Sequence, residues 1–104
     1  STQVPLPITN VEVFPVRERT GKLRGYARVL IADQLQLTGL RIFDGSKGLF
    51  VSYPNDLNHK GADYRQIFYP VSGAFRSAVE EAVLQKYEHM INDPFYLVGG
   101  EEDA

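Results

Sequence analysis

The chain has 104 residues, enough for one domain and short of the roughly 150 at which a second core becomes expected. Its 43% hydrophobic and 23% charged residues are those of a folded globular protein and exclude wholesale disorder or a fibrous repeat. A net charge of −2 argues against a uniformly basic nucleic-acid binder, the lack of cysteine excludes thiolate and disulfide chemistry, and His59 and His89 are too few for a multi-histidine metal centre in one chain.

The first predicted strand runs from Ile8 to Val16, where Val11, Val13, Phe14 and Val16 favour extended backbone. Pro15 cannot donate to a ladder, so this strand should be an edge or end near there. Thr20-Gly21-Lys22 is a turn. The second strand, Arg24 to Ala32, alternates Ala27, Val29 and Ile31 on one face with Tyr26, Arg28 and Leu30 on the other. Asp33-Gln34 makes a tight connection to a third strand, Leu35 to Phe43, in which Gly39 suggests a bulge or a close backbone approach. Asp44-Gly45-Ser46-Lys47-Gly48 is a hairpin loop leading to Leu49–Tyr53. Residues 54–63 are polar and read as a surface loop, and Tyr64 to Tyr69 is a short fifth strand stopped by Pro70.

From Gly73 the period changes. Phe75, Ala78, Val79, Ala82, Val83, Tyr87, Met90 and Ile91 recur at three- and four-residue steps, with Glu80, Glu81, Gln85 and Glu88 between them, which predicts an amphipathic helix. Ser72 suits the N-cap, and Pro94 fixes the latest end. The fold class is therefore α+β: an antiparallel meander of about five strands under one long C-terminal helix. Residues 8–93 form the folded core of a single domain, 94–98 are a docking segment or an edge strand, and 99–104 are an acidic, disordered tail. If the sheet's second face is also apolar, its cheapest cover is a second copy of the chain.

Charge is unevenly spread. Residues 1–75 hold nine basic and six acidic side chains, whereas 76–104 hold two and seven. Arg17, Arg19, Lys22 and Arg24 crowd the first turn, either as a solvated hairpin tip or as a phosphate-facing patch. No enzyme constellation is present. Asp44–Gly48 lacks the order of a phosphate loop and does not open a helix. His59 has no rigidly held co-ligands, the serines have no histidine neighbour or nucleophile elbow, and Glu80-Glu81 point in different directions. Tyr53, Tyr64 and Tyr69 lie near Arg65, an interleaving that can stack single-stranded bases, although core or interface packing is the commoner fate of such rings. No apolar run reaches the roughly 18 residues of a membrane span, and Ser1–Pro5 has neither the basic nor the apolar stretch of a signal peptide, so the expected location is the cytoplasm.

The run Leu40-Arg41-Ile42-Phe43-Asp44-Gly45-Ser46-Lys47-Gly48-Leu49-Phe50-Val51-Ser52-Tyr53-Pro54 is more specific. It resembles the middle of the bacterial stage V sporulation protein G family, the septation-protein family, with its Arg, its Asp-Gly, and its Gly-Leu-Phe-Val ending at Pro. Tyr64-Arg65-Gln66-Ile67, Pro70, Glu81-Ala82-Val83-Leu84 and Tyr87 are similar to that family's closing segment. Ile8–Val11 and Gly21–Arg24 are similar to its opening hairpin. The resemblance spans about residues 8–88. It implies a small α+β homodimer that binds DNA and RNA as a regulator linked to septum formation, cell division and sporulation-stage gene expression, with no catalysis and no cofactor. It also implies that Arg65 and Arg76, at the family's basic positions near the helix start, and Arg41, in the central motif, contact nucleic acid. Lys47, Arg17 and Arg19 are further candidates. Glu12, Phe14 and Pro15 stand where the family's opening strand is often arginine-rich, and Ser77-Ala78 where another basic residue would follow Arg76. A second reading stays open on the same residues: a non-catalytic module that docks a division-related protein through exposed aromatics and an acidic helix.

Overall fold

In a computed structural model, which describes residues 6–17, 21–56, 58 and 65–97, four strands form an antiparallel meander with one long helix across one face. The strands are β1 (Ile8–Pro15), β2 (Leu23–Ile31), β3 (Leu35–Gly45) and β4 (Gly48–Ser52), in spatial order β1-β2-β3-β4. The helices are α1 (Gly73–Ile91) and a single turn, α2 (Pro94–Leu97). Among the described residues no helix is long and apolar enough to cross a membrane.

Turn chemistry sets the meander. Ala32 and Asp33, both with positive φ (53° and 58°), are the central residues of the β2–β3 turn, closed by the Gln34 amide donating to the Ile31 carbonyl at 2.8 Å. That is the primed hairpin geometry that matches strand twist, set one residue earlier than Asp33-Gln34. Thr9 fixes the turn from the neighbouring strand: its Oγ1 accepts from the Asp33 amide at 3.0 Å and donates to the Leu30 carbonyl at 3.2 Å. Gly39 is the predicted irregularity. The register shifts between Ala27 and Val29, Gly39 takes φ 81°, and a Cβ there would sit 3.5 Å from the Pro54 ring. An extra residue in β3 therefore bends the strand where only glycine is unstrained.

The expected fifth strand is not one. Asn55 and Gln66 form an isolated antiparallel bridge, extended by the Asp56 amide donating to the Arg65 carbonyl and the Ile67 amide to the Pro54 carbonyl. Pro54 has no amide to offer and Pro70 ends the segment, so the pairing stops after one bridge. Residues 94–97 form a helical turn and not an edge strand, and the acidic tail at 99–104 lies outside the described residues.

The core sits between α1 and the inner sheet face. Val13, Ala27, Val29, Ile31, Leu40, Ile42, Val51 and Tyr53 meet Val79, Val83 and Tyr87, all buried. The helix residues are four apart and so lie on one stripe. Burying a valine of this kind stabilises by about 1.5–3 kcal/mol, so the stripe is what holds the helix down. Ser72 caps the helix as predicted, its Oγ accepting from the Phe75 amide at 3.2 Å. Glu80, on the polar side of the predicted amphipathic helix, does not simply face solvent. It is half-buried, and its Oε2 accepts from the Val51 amide at 3.2 Å, closing part of the β4 edge.

Candidate functional site

Among the described residues, two regions combine cations with aromatic rings. The first is the corner where β4 runs out and α1 begins. Tyr53 follows β4 and turns its ring into the core, packed edge-on to Phe68 with ring centres 6.3 Å apart. The Arg76 guanidinium lies over that ring at 5.7 Å and donates to the Pro70 carbonyl at 3.1 Å. Burial pushes the Tyr53 phenol above its ordinary value, with Arg76 pulling it down and Glu80 pushing it up. Arg65 is exposed at the same corner, its carbonyl accepting from the Asp56 amide at 2.6 Å. The first turn of α1 holds no acidic residue, so Arg76 adds its charge to the positive end of the helix. Stacking on Tyr53 and bonding to Pro70 hold the cation where the macrodipole would otherwise oppose it.

The second region is the outer face of the sheet, on the side away from α1. Strand register sets its rows. Phe14 pairs with Tyr26, Tyr26 with Arg41 and Arg41 with Ser52; Phe43 pairs with Phe50; Glu12 pairs with Arg28. Phe14, Tyr26 and Phe50 remain 50%, 42% and 43% exposed. Guanidinium groups lie over two of the rings, Arg28 over Phe14 at 5.4 Å and Arg41 over Tyr26 at 6.0 Å. Phe43 and Phe50 sit 5.8 Å apart, and the Phe50 ring crosses Gly45 so closely that a Cβ there would come within 2.8 Å of it. Arg28 also pairs with Glu12, and that hydrogen bond holds the Glu12 carboxyl below its usual range. This face is mixed, not plainly apolar.

The predicted residues fall in three places. Arg65 and Arg76 share the corner. Arg41 belongs to the outer face. Arg17, just beyond β1, and Lys47, at the β3–β4 turn, lie at the end of the sheet where both hairpin tips sit, with Lys22 and the Arg24–Asp44 ion pair (3.4 Å). Arg19 lies outside the described residues, as do Tyr64 and His59. Tyr53 is a core residue. The alternation of β2 already placed Tyr26 beside Arg28, but Phe14 and Phe50 join that face only through strand pairing. Among the described residues no three His, Cys, Asp or Glu side chains gather to hold a metal ion.

A family model described as SpoVG matches residues 6–89. Several curated relatives carry the name septation protein SpoVG. The one from Phytoplasma australiense is 32% identical over 86% of this chain and 91% of its own length. That from Exiguobacterium sp. is 34% identical over 91% and 97%, respectively. That from Symbiobacterium thermophilum is 36% identical over 82% of this chain, but the match spans only 59% of the relative.

Proposed function

The chain belongs to the SpoVG family, and on that premise we propose that it is a non-catalytic, homodimeric regulatory protein that holds DNA or RNA mainly through phosphate contacts. The observation that carries this reading is Arg76, stacked on Tyr53 at the positive end of α1, with Arg65 exposed in the same corner. Two cations and a helix terminus favour an anion there, and the Tyr53 ring and the Pro70 carbonyl keep Arg76 in place before any ligand arrives. One chain can meet few phosphates, and a second copy doubles that number. Contacts of this kind position a polyanion without reading bases, so sequence preference is weak. The cellular role that fits is regulation in bacterial septation and developmental gene expression, in the cytoplasm.

An anisotropy titration with duplex DNA tests the reading. The logarithm of the binding constant should fall with the logarithm of salt at about −0.9 per phosphate neutralised. Arg65→Ala and Arg76→Ala should each weaken binding to all sequences alike and reduce that slope by about one contact. Light scattering should give twice the mass of one chain. Binding indifferent to salt and to both substitutions would sink the phosphate mechanism, and a one-chain mass at every concentration would remove the dimer.

A second reading, docking of a division-related protein, draws on Ile67, Tyr69 and Val71, apolar side chains exposed in a row beside the same corner. It predicts that no oligonucleotide binds at low salt, and that Val71→Asp abolishes association with a septation protein.

A further inference from the structure

We infer that the outer sheet face is a stacking platform for the bases of single-stranded nucleic acid, separate from the corner formed by Arg65 and Arg76. The inference rests on the nucleic-acid reading above and says where, and in which strand state, the ligand is held.

The face combines the two things a single strand offers. Its bases present π faces, and its backbone presents phosphates. Phe14 and Tyr26 form one exposed aromatic row across β1 and β2, and Phe43 and Phe50 form the next row across β3 and β4. Arg41, in the row of Tyr26, and Phe43 are two residues apart on β3, a step of about 6.6 Å along the strand. Arg28 and Arg41 already lie over rings, so their guanidinium planes extend the platform and can themselves carry a base. Beyond Phe43 and Phe50, both hairpin tips present cations. Arg17, Lys22 and Lys47 are exposed there, where a strand leaving the platform would pass.

Charge also decides between occupants. The face holds two guanidinium groups against one carboxylate, Glu12, and among the described residues its border at the hairpin tips holds Arg17, Lys22, Arg24 and Lys47 against Asp44. A second copy laid face to face would press cation against cation. A polyanion with flat apolar bases matches both the charge and the rings. A duplex buries its base faces in its own stack, so it gains nothing from the rings.

The experiment is an anisotropy titration of labelled oligo(dT) and oligo(U), and of a duplex of equal length, against the full chain, Tyr26→Ala and Phe50→Ala. Tyr26→Phe and Phe50→Tyr keep a ring at each position, and melting curves check that every variant folds. Removing a ring should weaken single-strand binding about 5- to 150-fold and leave duplex binding unchanged, while the ring-for-ring variants bind as the wild type does. Single-strand affinity untouched by both alanine variants but reduced by Arg65→Ala and Arg76→Ala would overturn the platform and leave the broader reading standing. A wild-type chain that binds neither form at low salt would take down both. Alanine variants that convert a two-chain mass to a one-chain mass in light scattering would assign the face to a second copy and overturn the proposal.

Discussion

The Tyr53 hydroxyl makes no hydrogen bond among the described residues, although the side chain is only 3% exposed. A buried hydroxyl without a partner is a cost, and removing it releases that cost without opening a cavity of any size. Tyr53→Phe should therefore be neutral or gain up to about 1 kcal/mol in urea unfolding at neutral pH. The same substitution has an alkaline signature. Burial raises the folded phenol above the value of about 10 that it has when unfolded. The stability that comes from keeping it neutral is complete below that value and is lost as pH rises through the folded one. Tyr53→Phe should thus flatten the decline in stability above about pH 10. A loss of more than about 1 kcal/mol at neutral pH would mean that the hydroxyl is bonded in solution. The sequence set Tyr53 beside Tyr64 and Tyr69 as a candidate stacking ring near Arg65. Strand parity decided otherwise for Tyr53: Val51 and Tyr53 face inward while Phe50 and Ser52 face outward, so the exposed ring of β4 is Phe50, whereas Tyr69 is exposed.

Glu80 shows how one element finishes another. β4 is an edge strand, and its outward amides would otherwise meet only water or another chain. The Val51 amide instead donates to a half-buried carboxylate from the second turn of α1. Glu80→Ala should cost about 1–2 kcal/mol and speed exchange of the Val51 amide, whereas Glu80→Gln, which keeps an acceptor, should lose less. Equal exchange rates in the wild type and the alanine variant would show that this bond does not protect the edge. The helix itself was plain in the sequence because Val79, Val83 and Tyr87 repeat every four residues between a capping Ser72 and a breaking Pro94. The meander was nearly as plain, since its turns are written in Gly21, Asp33 and the Gly45–Gly48 loop. The loss of the predicted fifth strand was not, because Tyr64–Tyr69 has β-favouring residues but only Asn55 and its neighbours to pair with. The two aromatic rows were also hidden. Register shifts near Asn10, Leu23 and Val29 decide which side chains become neighbours across strands, and no local signal records them.

At the scale of the whole molecule the charges are unevenly placed, although Lys86 is exposed on α1 and Asp33 and Asp44 lie at the turns of the sheet. Cations gather at the hairpin tips, the outer sheet face and the helix entry, while Glu81 and Glu88 are exposed on α1, which covers the opposite face of the sheet. A helix diameter of about 10–12 Å adds to the sheet's own thickness between these carboxylates and the outer face. At about 0.15 M salt the screening length is about 8 Å, so a strand on that face feels the nearby guanidinium groups and little of the acidic helix. At about 0.01 M the length grows to about 30 Å, and the net charge of −2 acts as a whole against a polyanion. The plot of log affinity against log salt should therefore be steep near physiological salt and flatten at the lowest salt, unlike the straight line of a uniformly basic protein. The double variant Glu81→Gln and Glu88→Gln separates the two regimes. It should raise affinity for oligo(dT) at the lowest salt and straighten the plot, yet change nothing near 0.15 M, because the removed charges were already screened there. An increase of equal size at every salt would mean that the helix lies close to the bound strand, and that acidic and basic surfaces do not work on opposite sides of the molecule.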